Sequence, residues 1–400
     1  MQLAALNRQT WPLVLGILLV MTGVTLVAPI LPLYARQFGV SRTAAGALIS
    51  GFAVARLAFD LLGGVAGDRF GTRRVGVLGC LLLSGASVIA ALAPNYGTLL
   101  VARVLEGTGS AAFATSAMQY LVQTTPKQRL GRTMAVFQMG LLAGVAIGPF
   151  LGGYAAQIGD FTTPFWIYAV LGLLAAALTA RFVPNVRPEQ ASMGQVLHSA
   201  RQLLRRPVFV GVLFLSFTLF VMRAGARVTL LPLYAGESLG LSEGAIGEIL
   251  AISAVTNLVI VNPGGRLVDS VGRRPVAVAG LVLSAFSIAL YGFVSSYPAL
   301  LAVSALVGIT AGLASIPPPT MVGDLAPTRA EGSAVGIYRT SGDLGFVIGP
   351  IVLGLVADAG NFRLGFLLAA GLLAAAALVV VLMPETRPAE DHHLGIVEPP

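Results

Sequence analysis

Charge is scarce in this 400-residue chain. Only 10% of residues are Asp, Glu, Lys or Arg, and Lys127 is the sole lysine. Soluble domains carry about 25% charged residues, so an ordinary water-facing surface is excluded. Cysteine is reduced to Cys80 and histidine to His198, His392 and His393, which leaves no disulfide framework and no Cys/His metal site. No Gly-x-x-x-x-Gly-Lys-Ser/Thr loop occurs, so the chain lacks a phosphate cradle with which to hydrolyse ATP. The polar loops are also too short and histidine-poor to seat clustered nucleophiles and acids, which argues against a membrane enzyme and implies no cofactor.

What the chain has instead is apolar length. Hydrophobic residues make up 56% of the sequence, and mean hydropathy is +0.85. Crossing ~30 Å of hydrocarbon takes about 20 apolar residues, and twelve runs near or above that length lie between Trp11 and Met383. Backbone groups in lipid must find partners within their own segment, so these runs are expected to be helices. The reading is therefore an all-α membrane protein of twelve transmembrane helices. Expected spans are 11–34, 43–67, 75–93, 97–122, 130–157 and 163–183, then 207–234, 242–266, 275–294, 298–323, 330–358 and 362–383. The apolar run within Met1 to Tyr34 lacks a clear cleavage site and is expected to be retained as the first span.

The spans divide into two sixes: an N-terminal bundle over 1–183, a linker over 184–206, a C-terminal bundle over 207–384 and a tail over 385–400. In the linker, Met193, Val196, Leu197, Ala200, Leu203 and Leu204 fall at helical spacing opposite Arg201 and Arg205, as in a helix lying along a membrane surface. A net charge of +8 does not imply a nucleic-acid partner, because the basic residues are scattered in short clusters. Seventeen of them, from Arg8 through Arg69, Arg73, Arg74 and Lys127 to Arg273, Arg274, Arg329 and Arg387, fall on one side of the membrane. Only Arg36, Arg42 and Arg363 fall on the other. The positive side is expected to be cytoplasmic, with both termini inside. Short loops and the absence of an Asn-x-Ser/Thr site point to a bacterial inner membrane.

The halves repeat. Leu-Pro-Leu-Tyr-Ala occurs at Leu31 to Ala35 and again at Leu231 to Ala235. Gly144 to Gly153 is echoed by Gly345 to Gly354, and Asp68 by Asp269. Parallel six-helix repeats are a transporter architecture, with the substrate site at their interface.

Two short polar loops carry a family resemblance. Gly64, Asp68, Arg69, Gly71 and Arg73, then Gly265, Leu267, Asp269, Gly272, Arg273 and Arg274, follow a pattern Gly-x-Leu-Ala-Asp-Arg-x-Gly-Arg-Arg, each after the second span of its half. Thr72 and Gly67 depart from it in the first copy. In this the chain resembles the major facilitator superfamily along nearly its whole length. The resemblance implies the two-bundle major facilitator fold and a loop that latches the halves, with Asp68 meeting the eleventh span. In the fifth span, Gly140, Gly144, Gly148 and Gly152 form a small-residue stripe around Pro149. In the family such a Gly-Pro pattern marks drug:proton antiporters. Ala102 to Ala112 resembles its fourth-span motif, with Arg103 and Gly107 in place and Glu106 where a glutamine is usual.

An ionisable group within a span costs about 2.5–3.5 kcal/mol on insertion scales, so each needs a partner or a purpose. Nine such groups occur. Arg56 and Asp60, and Arg339 and Asp343, are spaced to share a helix face, and spans two and eleven face each other in the family. These four are expected to form a cytoplasmic gate. Arg103, Glu106, Arg223, Arg227 and Glu248 are the expected binding and coupling set. Glu106, Asp60 and Asp343 are candidate proton carriers. Pro317, Pro318 and Pro319 are expected to interrupt the tenth span, and Asp324 to pair with Arg273 or Arg274.

The function expected is proton-coupled export of amphiphilic small molecules by a monomer bathed in lipid. An anionic, sugar or glycolipid substrate, or a non-transporting sensor of the same fold, are the alternatives. Single cysteines replacing Arg73 and Arg273 in a Cys80→Ser background test the topology. Both are expected to react with a membrane-impermeant maleimide in inside-out vesicles and neither in right-side-out vesicles; labelling from opposite faces would break the duplication.

Overall fold

The computed structural model describes residues 10–186, 201–326 and 331–387, without side chains at 60–69, 127, 128, 131 and 331–333. The expectations for Asp60, Gly64, Asp68 and Arg69, for most of the linker helix and for the tail beyond Arg387 therefore lie outside the described residues.

Among the described residues, nine helices are long and apolar enough to cross a membrane, and a bent pair, Trp11–Leu26 and Leu31–Gln37, makes a tenth. Two further long helices, Arg42–Phe70 and Tyr96–Thr124, carry the in-membrane charges that lower their apolarity and complete the twelve. Most ends agree with the sequence expectation within four residues. The first span is the main departure: it bends by 44° between Leu26 and Leu31. Pro29 lacks an N–H for the helical ladder, and the local bonds tighten to Ala28 N–Thr25 O and Ile30 N–Val27 O at 3.2 and 3.3 Å. The seventh span departs at the same height by another route. It is α-helical over Pro207–Val221, then π-helical over Met222–Leu230. The tenth span changes helix at Ile316, yet Tyr297–Leu325 still runs as one 29-residue span. Its prolines open the second piece, where a missing N–H forfeits little.

Each half has its own apolar core. One cluster draws on residues between Leu13 and Val183, the other on residues between Leu203 and Met383. Ala224 of the seventh span crosses over and packs in the first.

Glycine sets how closely the spans approach. A Cβ built on Gly140 would lie 2.8 Å from Val14 O, on Gly144 2.6 Å from Leu18 O, and on Gly148 2.6 Å from Thr22 O, while one on Gly152 would collide with Leu26 O. The fifth-span stripe is thus a continuous seam against the backbone of the first span. Gly349 repeats it in the other half, 2.8 Å from Val221 O.

The polar loops clamp each half internally. Gly71 and Gly272 adopt φ of +85° and +113°, which side chains rarely tolerate. Asn185 Oδ1 accepts from Arg73 N at 3.1 Å, and Arg73 donates to Ala180 O at the end of the sixth span. In the second half, Glu385 accepts from Arg273 N and Arg274 N at 3.1 Å, and Arg274 donates to Val381 O. Burial lifts the Glu385 carboxyl, but the backbone N–H groups of Arg387, Arg274, Arg273 and Thr386 outweigh it and hold the group below the usual glutamate range. Arg273 also pairs with Asp324 at 3.1 Å and Asp269 at 3.9 Å. Arg73, Arg273 and Arg274 therefore bond within their own half. Among the described residues, the helix ends they satisfy belong to the same bundle.

Leucine at Gly152 is expected to lower the melting temperature of the purified protein, overpacking the seam by about 1–3 kcal/mol. Leucine at the open Gly371, where a Cβ meets nothing within 4 Å, serves as control; equal melting of the two variants would refute the seam.

Candidate functional site

The halves are tied together at the end of the molecule opposite the basic loops. Glu237, at the close of the seventh span, receives Arg36 at 2.8 Å and Arg42 at 2.7 Å from the first half. Asp358, closing the eleventh span, accepts the Arg42 and Thr43 N–H groups at 2.7 and 2.9 Å and so caps the start of the second span. Deeper in, Ser50 donates to Val347 O at 2.6 Å. The Gly-Pro segments sit in the same seal, related by the internal repeat. A Cβ on Gly247 would lie 2.6 Å from Pro149 O, and one on Gly46 would collide with Pro350 O. From the sequence, Arg36 and Arg42 read as topology signals, and no motif marks Glu237 or Asp358. The repeat itself held a clue, since Gly46 and Gly247 share the offset that relates Pro149 to Pro350.

Glu248 belongs to this seal too. Its carboxylate accepts from Tyr154 of the first half and Tyr297 of the second. The sequence grouped it with the central arginines. Its place in the second turn of the eighth span, at the sealed end, sets it among tyrosines instead.

Below the seal, the fourth span holds a buried ion pair. Arg103 and Glu106, three residues apart on one helix face, are 3% and 0% exposed and bonded to each other. Ser87 donates to the other carboxylate oxygen at 2.7 Å, and the Arg103 guanidinium lies 4.7 Å over the Phe52 ring. Among the described residues, Arg103 Nε and the hydroxyl of fully buried Tyr168 have no hydrogen-bond partner. Tyr168 occupies the space over Gly23, where any side chain would strike its ring. The pair is thus held by two neighbouring spans but is not saturated.

The second half differs at the matching height. Arg103 corresponds to Ser304, whose hydroxyl bonds Tyr291 at 2.7 Å, and Glu106 to Val307. Its charges lie on the seventh span, where Arg223 and Arg227 are half-buried in the π-helical stretch. Extra-wide turns of this kind are frequent at functional sites. Arg227 lies within electrostatic reach of Tyr291, and Arg223 within reach of Arg227 and Arg56.

Toward the basic end, Arg56 and Asp343 are half-buried and Arg339 is exposed. Arg339 Nη1 lies 3.9 Å from Met118 Sδ of the fourth span. Arg339 thus meets a thioether of the other half, and the Asp60 side chain is outside the described residues.

The family model of the Major Facilitator Superfamily matches residues 13–242 and 212–398. The quinolone resistance protein NorA of Staphylococcus aureus is 22% identical over 386 residues, covering 96% of this chain and 98% of its own. Multidrug resistance protein 2 of Bacillus subtilis is 25% identical, covering 87% and 88%. Among solved structures, a bacterial homologue of the human lysosomal transporter Spinster, in an inward-facing and occupied conformation, superposes with a TM-score of 0.80 at 15% identity, over 93% of this chain and 95% of that one.

Removing the Glu106 carboxyl should be far worse than neutralising it. Glu106→Ala leaves the Arg103 charge buried alone, at a cost of about 3–5 kcal/mol, whereas Glu106→Gln keeps one oxygen to accept from Arg103 and turns an NH2 toward the Ser87 hydroxyl, which can accept. Thermal melts of the two variants in one detergent are expected to rank alanine well below glutamine; the reverse order would deny the pair its structural part.

Proposed function

We propose a role for this chain, which belongs to the Major Facilitator Superfamily: it is a secondary active transporter that exports amphiphilic small molecules in exchange for protons. The observation that carries the reading is the seal at the end opposite the basic loops. Two halves related by an internal repeat are bound at one end by Glu237, Asp358, Glu248 and the paired Gly-Pro contacts, above a buried Arg103–Glu106 pair. Such an arrangement suits alternating access, in which this seal opens as the basic end closes. With basic loops inside, the sealed end is the outer one and the conformation faces the cytoplasm. The chain then sits in a bacterial inner membrane with both termini cytoplasmic.

Glu106 is the proton carrier in this reading. While it is charged it holds Arg103. Once protonated it no longer neutralises the guanidinium, which is freed to seek another anion or to swing from Phe52. A change of one proton thus alters the electrostatics of the site without a large rearrangement of the fourth span. Asp60 and Asp343 are the remaining candidate carriers, and with Arg56 and Arg339 they form the proposed closure of the basic end. Breaking the outer seal and making an inner one at comparable cost keeps the two states close in energy, as a cycling transporter requires. The drug-resistance names of the two bacterial relatives support export as the direction.

In proteoliposomes carrying an imposed proton gradient, a panel of fluorescent amphiphiles of either charge is expected to include some that the protein drives uphill. Glu106→Gln is expected to abolish gradient-driven flux while retaining downhill exchange. Full uphill flux in that variant would reject Glu106 as the carrier and move the test to Asp60→Asn.

A further inference from the structure

Arg223 and Arg227 take no part in the seal, the core or the Arg103–Glu106 pair. We propose that together they form a subsite for an acidic head group, so that the molecule carried is an anionic amphiphile bearing a carboxylate, phosphate or sulfonate. This rests on the transport reading for its purpose but not for the binding itself.

Three observations support the subsite. The first is its geometry. Met222–Leu230 is π-helical, and Thr229 Oγ1 bonds the carbonyl of Ala224, five residues back, at 2.9 Å. The wider turn brings residues four apart closer to vertical register, so the two guanidiniums stand on one side of the helix. The stretch faces the other half, since Ala224 is part of the first-half core and Val228 and Phe346 pack against it.

The second is charge. Among the described residues neither Arg223 nor Arg227 has a hydrogen-bond or ion-pair partner, and Arg227 Nε is fully shielded from solvent. Arg56 adds a third positive charge within electrostatic reach of Arg223. Two carboxylates of the expected binding set are committed elsewhere: Glu106 to Arg103 and Ser87, and Glu248 to Tyr154 and Tyr297. Like charges held together inside a membrane protein are costly, and an anion bridging the two would remove that cost. Guanidinium forks also match the planar oxygens of carboxylate and phosphate, which an ammonium does not.

The third is asymmetry. The first-half counterparts of Arg223 and Arg227 are Gly23 and Val27, and the ring of Tyr168 fills the space over Gly23. The repeat therefore does not require arginine at these positions. Apolar surface for the rest of an amphiphile lies alongside, where Phe220 and Phe346 meet edge to face at 6.4 Å between ring centroids.

The test measures binding by the full chain in nanodiscs. The probes are 11-(dansylamino)undecanoate and the primary amine of the same body, followed by dansyl fluorescence. The carboxylate is expected to bind about tenfold or more tighter than the amine, as a charge-assisted hydrogen-bonded pair implies. Arg223→Gln and Arg227→Gln should each erase most of that preference, and Arg223→Lys should restore part of it. Arg363→Gln, at the sealed end over Phe293, should leave it unchanged. Discs of phosphatidylcholine alone and discs containing phosphatidylglycerol identify the natural source of the anion. Competition by phosphatidylglycerol, lost in Arg223→Gln, assigns a lipid head group; undiminished probe binding assigns a soluble acid, and both support the subsite. Equal or tighter binding of the amine, or a carboxylate preference that survives in the Arg223→Gln/Arg227→Gln double variant, would overturn it. Arginine-dependent binding without any flux would leave the subsite standing and sink the transport reading; uphill flux of the amine alone would do the opposite.

Discussion

A charge placed in hydrocarbon must be neutralised, hydrated or removed, and this requirement governs which residues in the molecule can move. The fourth-span pair meets it within one helix, with Ser87 and Phe52 completing the surroundings of two side chains that solvent scarcely reaches. The ion pairs at the sealed end meet it across the halves, so separating the halves means rehydrating Arg36, Arg42 and Glu237. These pairs keep part of their surface in water, so each contributes little to stability. The Arg223 and Arg227 charges are met by no side chain among the described residues, and that is why they point to a ligand rather than to stability.

Close backbone approach is the second condition, and glycine supplies it in two distinct roles. Gly140, Gly144, Gly148 and Gly152 hold the first and fifth spans together inside one half. Gly46 and Gly247 instead seat carbonyls of Pro350 and Pro149 from the opposite half. Glycine thus serves one seam within a half and another between the halves. At the far end, Asn185 and Glu385 cap helix ends within their own bundles.

The halves depart from their repeat at the height of the fourth-span ion pair. The first half carries an acid and a base on its fourth span, while the second carries hydroxyls and an aliphatic residue at the corresponding places. The second half carries two arginines on its seventh span, opposite a glycine and a valine in the first. The first and seventh spans both leave regular α-helix at this height, one by a proline bend and one by a π turn. Irregular backbone at membrane depth is tolerated where protein or a cavity surrounds it, which fits a site lying between the two bundles.

Much of this was legible in the sequence. Apolar runs of sufficient length fixed twelve spans, because a bilayer admits few other ways to satisfy a backbone. The repeats that relate Leu31 to Leu231 and Pro149 to Pro350 pointed to two halves, and the Arg103–Glu106 pairing followed from helical spacing alone. The 44° bend of the first span was not resolved from an ordinary proline, nor the π turn from an α-helix, since both depend on which neighbours accept the displaced backbone groups. Tertiary structure alone decided which charges meet across the halves. Arg42 lies 195 residues from Glu237 and 316 from Asp358, and no periodicity within a helix connects them. It likewise moved Glu248 from the central set to the seal. Local spacing determines which side chains share a face; only the packing of whole helices determines what that face meets, and electrostatics in lipid act on the meeting.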